Sequence, residues 1–244
     1  MTRLSTLPDP EAAAAFAAVE IAHALRRAVE HRGVAHLALA GGNTPRRAYE
    51  LLAGLRDDWG AVELWYGDER CVGAEDPESN HRLVAESLLA QIHGPAPAEH
   101  RIPGELGPEE AAAEYSALLR ARVLTAGEWG PPALDLALLG IGEDGHTASL
   151  FPGHPEVEDS SGALCLPVRD APKPPPERVT LSLPVLRAAR GCLLLVTGAG
   201  KADALARVLA GPDPQVPASL LASEHLHVVA DEAAAQDAAS ATES

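Results

Sequence analysis

The residues best suited to chemistry lie in one glycine-hinged stretch, Gly140-Ile141-Gly142-Glu143-Asp144-Gly145-His146. A histidine titrates near neutral pH and can serve as a general base, and a carboxylate two residues away can orient it or bind substrate. Asp144 and His146 are therefore the first candidate pair. The stretch also matches GxGxxG after an apolar run, but a dinucleotide site needs that motif to open a helix and leave the pyrophosphate unopposed. Here it runs into Thr147-Ala148-Ser149-Leu150-Phe151-Pro152-Gly153 and carries two carboxylates, so the nucleotide reading is rejected. A lone loop histidine is more often structural, and the chain has ten. His146 needs company.

Three other stretches offer it. In Asp68-Glu69-Arg70 a carboxylate can hold sugar hydroxyls while the guanidinium polarises a carbonyl, although a solvated charged turn explains the triplet equally well. In Gly41-Gly42-Asn43-Thr44-Pro45 the glycines let backbone approach a ligand, Thr44 can cap, and Pro45 presets a helical turn. The free N–H groups there favour an anion such as phosphate, against the bland reading of an ordinary strand–helix turn. Gly198-Ala199-Gly200-Lys201 opens a helix without the GxxxxGK[ST] pattern of a Walker loop, and its compact ammonium suits a phosphate as a point charge. Lys201 is one of only two lysines beside seventeen arginines. The other, Lys173, sits among prolines and reads as surface. Arg178 begins RVTLSL, where its charge points into a cleft or out to solvent.

These stretches need elements to position them. Asp9, Pro10 and Gly33 bound an alanine-rich first helix ending at His31–Arg32. Strands are predicted at 34–40, 61–67, 134–142, 163–168, 178–183, 191–198 and 225–230, and helices at 45–56, 80–92, 108–123 and after Gly200. Strands apolar on both faces and alternating with helices predict a single α/β domain: a mostly parallel sheet with helices on both faces. The domain is expected to span 1–230, with 231–244 a frayed Ala/Ser/acid-rich tail. Ligands bind such sheets at the carboxyl ends of the strands, and all four motif loops leave a strand at that end. They are expected to share one crevice.

Composition narrows the partners. Lys+Arg is 19 against Asp+Glu 35, a net charge of −16 over 244 residues, which argues against nucleic acid. No apolar run approaches the ~18–20 residues that cross a bilayer. The N-terminus lacks a basic segment followed by an apolar run, so a cytoplasmic location is expected. Three cysteines, at 71, 165 and 192, make no metal-binding spacing. Neither metal nor cofactor is expected.

The order of LALAGGNTPRRAYELL, LWYGDERCV…SNHRLV, GIGEDGHTASLFPG, ERVTLSLPVL and TGAGKADAL resembles the 6-phosphogluconolactonase family, within the glucosamine-6-phosphate isomerase/deaminase-like group. The resemblance runs from about Val34 to Leu209. It implies a Rossmann-like open sheet and hydrolysis of 6-phospho-D-glucono-1,5-lactone in the oxidative pentose phosphate pathway. It implies that His146 is the general base, with Asp144 supporting it or the substrate. Arg70 and Asp68 fall at the lactone end, and Gly42, Asn43, Thr44 and Lys201, with Arg178, at the phosphate end. Asn80 is expected to fix the Asp68–Arg70 loop. The implied partner is a phosphorylated sugar lactone, and the chain is expected to be a monomer or weak homodimer.

Two other functions compete. A glucosamine-6-phosphate deaminase uses, in related enzymes, a further carboxylate after the histidine, whereas here no acid occurs before Glu156. A non-catalytic sugar-phosphate sensor is the reading from another class. It is disfavoured by the acidic balance and the absence of a helix-turn-helix segment before the first helix.

Overall fold

A computed structural model describes residues 2–127, 130–222 and 225–238. The strands are β1 (Arg3–Leu7), β2 (Ala35–Leu39), β3 (Val62–Tyr66), β4 (Asp68–Arg70), β5 (Ala98–Glu99), β6 (Leu136–Leu139), β7 (Cys165–Val168), β8 (Arg178–Leu181), β9 (Cys192–Val196) and β10 (Leu226–Asp231). The helices are α1 (Pro10–Arg32), α2 (Arg46–Ala53), α3 (Asn80–Ser87), α4 (Pro108–Arg122), α5 (Leu183–Ala188), α6 (Ala202–Ala210) and α7 (Glu232–Ala235). Seven strands form a wholly parallel sheet in the order β1-β10-β9-β6-β2-β3-β5. Every residue of β2, β6 and β9 is buried. Because successive side chains point to opposite faces, both faces must be covered, as the apolar runs imply.

Helix α1 shows how local sequence sets an element. Asp9 Oδ1 accepts from Ala12 N at 2.8 Å, and Gly33, at φ +77°, donates to Val29 O at 2.8 Å. These caps satisfy end groups that an uncapped helix leaves to water. Its buried face is largely alanine (Ala13, Ala14, Ala17, Ala18) with Ile21 and Leu25, small enough to lie close over β2, β6, β9 and β10. Helix α2 starts at Arg46 without a side-chain cap, so Thr44 does not take the capping role expected of it.

Three findings correct the expected strand plan. Strand β1, unread in the sequence, pairs in parallel with β10 at the sheet edge. Asp68-Glu69-Arg70 is a strand rather than a loop. It joins β8 and β7 in a separate three-stranded antiparallel sheet, order β4-β8-β7. The reason is the Pro-rich connection from 169 to 177: parallel strands need a crossover of a dozen or more residues, so this short link returns the chain antiparallel. The expected tail is also corrected as far as residue 238. Asp231 is buried and its carboxylate accepts from Gly198 N at 3.0 Å and Ala234 N at 2.8 Å. Ala234 and Ala238 are buried as well. The rest of that stretch, 239–244, lies outside the described residues.

Candidate active site

The sheet order reverses between β2 and β6, whose outgoing loops diverge there and leave a crevice outside the strand ends. A cleft of 320 Å³ occupies it. Its walls include Gly41 to Pro45 after β2, Asp68 and Arg70 on β4, Gly140 to Gly142 and His146 after β6, Arg178 on β8, and Lys201 after β9. The structure thus gathers the candidates Gly42, Asn43, Thr44, Asp68, Arg70, His146, Arg178 and Lys201. Asp144 stands directly behind His146.

His146 Nδ1 lies 2.5 Å from Asp144 Oδ1, and the same oxygen accepts from His146 N at 3.3 Å. Two glycines make the tight loop possible. Gly145 adopts φ +89°, and a Cβ on Gly142 would fall 2.0 Å from His146 Nδ1. Burial by itself would raise the Asp144 carboxyl. The hydrogen bond and charge of His146, the backbone bond, and Lys173 outweigh it and hold the group well below the usual carboxylate range. The carboxylate is therefore ionised at neutral pH and accepts Nδ1–H, which leaves Nε2 unprotonated in the neutral ring. Behind the ring stands Phe151, its centroid 4.6 Å from that of His146. Phe151 also carries the Arg178 guanidinium at 5.5 Å. Phe151 was not singled out in the sequence; its place in the chain five residues beyond His146 was the only signal.

Asp68 is equally constrained. Ser149 Oγ donates to its Oδ2 at 2.6 Å, and Asn80 Nδ2 donates to its Oδ1 at 3.1 Å and its carbonyl at 2.9 Å. Asn80 thereby ties the start of α3 to β4, in the fixing place expected for it. Its Oδ1 is buried against Gly41, where a Cβ would come within 1.8 Å, so the first glycine of the β2 loop makes room for the side chain that holds Asp68.

Glu69, passed over in the sequence, proves to be the anchor of α3. Its buried carboxylate accepts from Arg70 N, Asn80 N and His81 N, each at 2.8 Å, and from Ser79 Oγ at 3.0 Å. Burial raises its pKa, while the backbone N–H groups at the helix start pull the other way. Residues of this type are invisible in sequence because a charged triplet gives no sign of which carboxylate points inward.

Arg70, Arg178 and Lys201 bring positive charge to the cleft. Arg70 and Arg178 are directly opposed across β4 and β8. Like charges in that register are destabilising unless something else compensates. Arg70 Nη1 donates to Glu78 O, while its Nε is buried with no partner among the described residues. Arg178 is 4% exposed, and its Nε and Nη2 donate to the carbonyls of Pro175 at 3.0 Å and Lys173 at 2.9 Å. Burial lowers the Arg178 pKa; Asp68 opposes the shift and Arg70 adds to it. Lys201 is lowered by burial too, with Glu143 opposing and Lys173 adding. Lys173 is exposed, as its prolines implied, and it also lines this cleft.

Among the described residues no group of three or more His, Cys, Asp or Glu side chains could hold a metal ion, and no helix is long and apolar enough to cross a membrane. Fold and crevice define an α/β protein that holds small molecules at the switch point of a doubly wound sheet. Residues 8–230 match the model of the family described as glucosamine-6-phosphate isomerases/6-phosphogluconolactonase, and the chain belongs to that family. It is 37% identical over 221 residues to a 6-phosphogluconolactonase of Streptomyces coelicolor, covering 86% of this chain and 84% of the relative. With a 6-phosphogluconolactonase of Mycobacterium tuberculosis it shares 36% identity over 222 residues, covering 88% and 90%. The solved structure of 6-phosphogluconolactonase from Trypanosoma brucei superposes with a TM-score of 0.84 at 26% identity, over 97% of this chain and 98% of that one.

Proposed function

We propose that this protein hydrolyses 6-phospho-D-glucono-1,5-lactone to 6-phospho-D-gluconate, the lactone-opening step of the oxidative pentose phosphate pathway. The carrying observation is the 2.5 Å bond from His146 Nδ1 to an ionised Asp144 at one end of a cleft that holds Arg70, Arg178 and Lys201. Likeness to the lactonases of Streptomyces and Mycobacterium over most of each chain supports the substrate.

In this reading Asp144 fixes the tautomer and Nε2 takes a proton from water as its oxygen attacks the lactone carbonyl carbon. Arg70 stabilises the oxyanion that forms, since charge developing in the transition state is where a fixed donor acts most strongly. The carbonyl then re-forms, the bond from carbon to ring oxygen breaks, and His146 returns its proton to that oxygen. Asp68, immobilised by Ser149 and Asn80, orients the sugar beside Arg70. Gly42, Asn43 and Thr44 present the N-terminal end of α2 to the phosphate, and Lys201 and Arg178 supply positive charge. The chain works in the cytoplasm as a monomer or weak homodimer.

The test adds purified protein to freshly made lactone and follows ring opening against the spontaneous rate. Acceleration is expected. Ammonia release from glucosamine 6-phosphate without lactone opening would make the deaminase chemistry of the same family the correct reading. Tight phosphosugar binding with no turnover of either compound would make the protein a sensor.

A further inference from the structure

Both lysines of a chain that otherwise uses arginine line the same cleft. Lys201 enters it from the turn after β9. Lys173 reaches it from the Pro-rich link between β7 and β8. The two ammoniums interact repulsively, and each also acts on the dyad end, since Lys173 and Lys201 both attract Asp144 or are attracted by it. Among the described residues neither ammonium has a carboxylate within ion-pair distance, whereas Arg46, Arg47, Arg82, Arg101, Arg169 and Arg207 all do. Two unpaired like charges facing one cleft cost free energy until an anion arrives between them.

The placement of Lys173 is built rather than incidental. Arg178 gives Nη2 to the Lys173 and Pro174 carbonyls at 2.9 and 3.3 Å, and Nε to the Pro175 carbonyl at 3.0 Å. Ala171 N closes the link by donating to Pro176 O at 3.0 Å. Arg178 is itself clamped, buried and resting on Phe151. Most of its hydrogen-bonding capacity therefore goes into setting the height of the 173–175 backbone above the cleft. Nη1 is the one guanidinium nitrogen without a carbonyl partner among the described residues.

We infer that Lys173 is a specificity-determining residue: its ammonium joins Lys201 on the phosphate of the substrate, and Arg178 acts in large part by holding Lys173 there. The inference rests on the lactonase reading for the substrate but not for the ligand chemistry, which is that of a phosphate monoester dianion. A pair of ammoniums on one phosphate favours the dianion over uncharged sugars. It binds the ground and transition states alike, because the phosphate does not change charge during ring opening.

Lys173→Met and Lys173→Arg separate the possibilities, and substitution at an exposed side chain leaves the fold intact. With 6-phosphogluconolactone, Lys173→Met is expected to raise KM about tenfold at nearly constant kcat, the usual worth of one charge-assisted contact. Glucono-1,5-lactone, lacking the phosphate, should be turned over by the variant within about twofold of the parent. Lys173→Arg should recover most of the lost affinity. In parallel, titration calorimetry with 6-phosphogluconate and with inorganic phosphate reads binding without turnover. If the parent opens no lactone but binds these ligands, and Lys173→Met weakens both about tenfold, the assignment of Lys173 stands and the lactonase reading falls. Equal loss on both lactones, an unchanged KM, or a parent that binds neither anion overturns the assignment.

Discussion

The two ends of the cleft are built on opposite plans. At the dyad end the carboxylates are already committed: Asp144 to His146, Asp68 to Ser149 and Asn80, and Glu69 to Arg70 N and three donors at the start of α3. At the phosphate end Gly42 and Asn43 are exposed, and Lys173 and Lys201 have no carboxylate at ion-pair distance among the described residues. The difference follows from what each end must do. A proton must move along one direction with one tautomer, which demands geometry fixed before substrate arrives. Binding a dianion demands unspent positive charge, which a neighbouring carboxylate would neutralise.

That contrast can be broken at either end. The largest effect is expected from His146→Ala, which should lower kcat by roughly 100-fold or more while KM stays within a few-fold. A near-parental kcat would remove His146 as the base. Gly142→Ala comes next. Its Cβ would land 2.0 Å from His146 Nδ1 and 2.3 Å from Asp144 Oδ1, so the dyad must separate. A fall in kcat of order 10–100-fold is expected with folding retained, and unchanged kinetics would mean that the dyad geometry is dispensable. At the other end Lys201→Ala should spare kcat and raise KM about tenfold, and a KM that did not move would take Lys201 off the phosphate.

The smallest effect sharpens the contrast through pH. Burial and the Lys173 charge lower Lys201, against Glu143 and Asp144, so it loses its proton below the range of an ordinary lysine. Affinity for 6-phosphogluconate should therefore weaken as pH rises through that lowered value, and the decline should shift to higher pH in Lys173→Met. Calorimetry across alkaline pH checks this; an identical profile in the two proteins would show that the ammoniums do not interact. The dyad end should behave differently. The Asp144 pKa is depressed, so its contribution to stability is present above the unfolded value and is lost only as pH falls through the lower folded one.

Stability offers one further break. Glu69→Gln replaces an acceptor-only group with one that turns an NH₂ toward backbone donors. A loss of about 2 kcal/mol in denaturant unfolding is expected from the unsatisfied N–H groups at α3. Unchanged stability would mean that Glu69 does not anchor the helix.

Much of this was legible in the chain. The first helix followed from Asp9, Pro10 and Gly33 because caps act within one turn. The β2 and β6 loops, with Asp144 and His146 two residues apart, followed because their geometry is local. Lys173 is at the surface as read, but its place over the cleft was not legible, for the opposite reason. A lysine among prolines looks solvated until the antiparallel return of β7 into β8 sets it over a cleft formed by strands far away in sequence. Strand β1 was unread because five residues, three of them exposed, carry little pattern until β10 accepts them. The buried role of Glu69, and of Asp231 beneath Gly198, depended in the same way on distant partners.

By itself the sequence determined the α/β class, the glycine-hinged loops and the identity of the groups able to move a proton or hold a phosphate. Those properties depend on apolar periodicity, backbone permissiveness and side-chain chemistry over a few neighbouring residues. Only the tertiary structure decided which side chains pin Asp68, where β4 meets β8 and where both lysines converge. Each is a distance between segments remote in the chain, and electrostatic and hydrogen-bond energies depend on that distance rather than on order along the backbone.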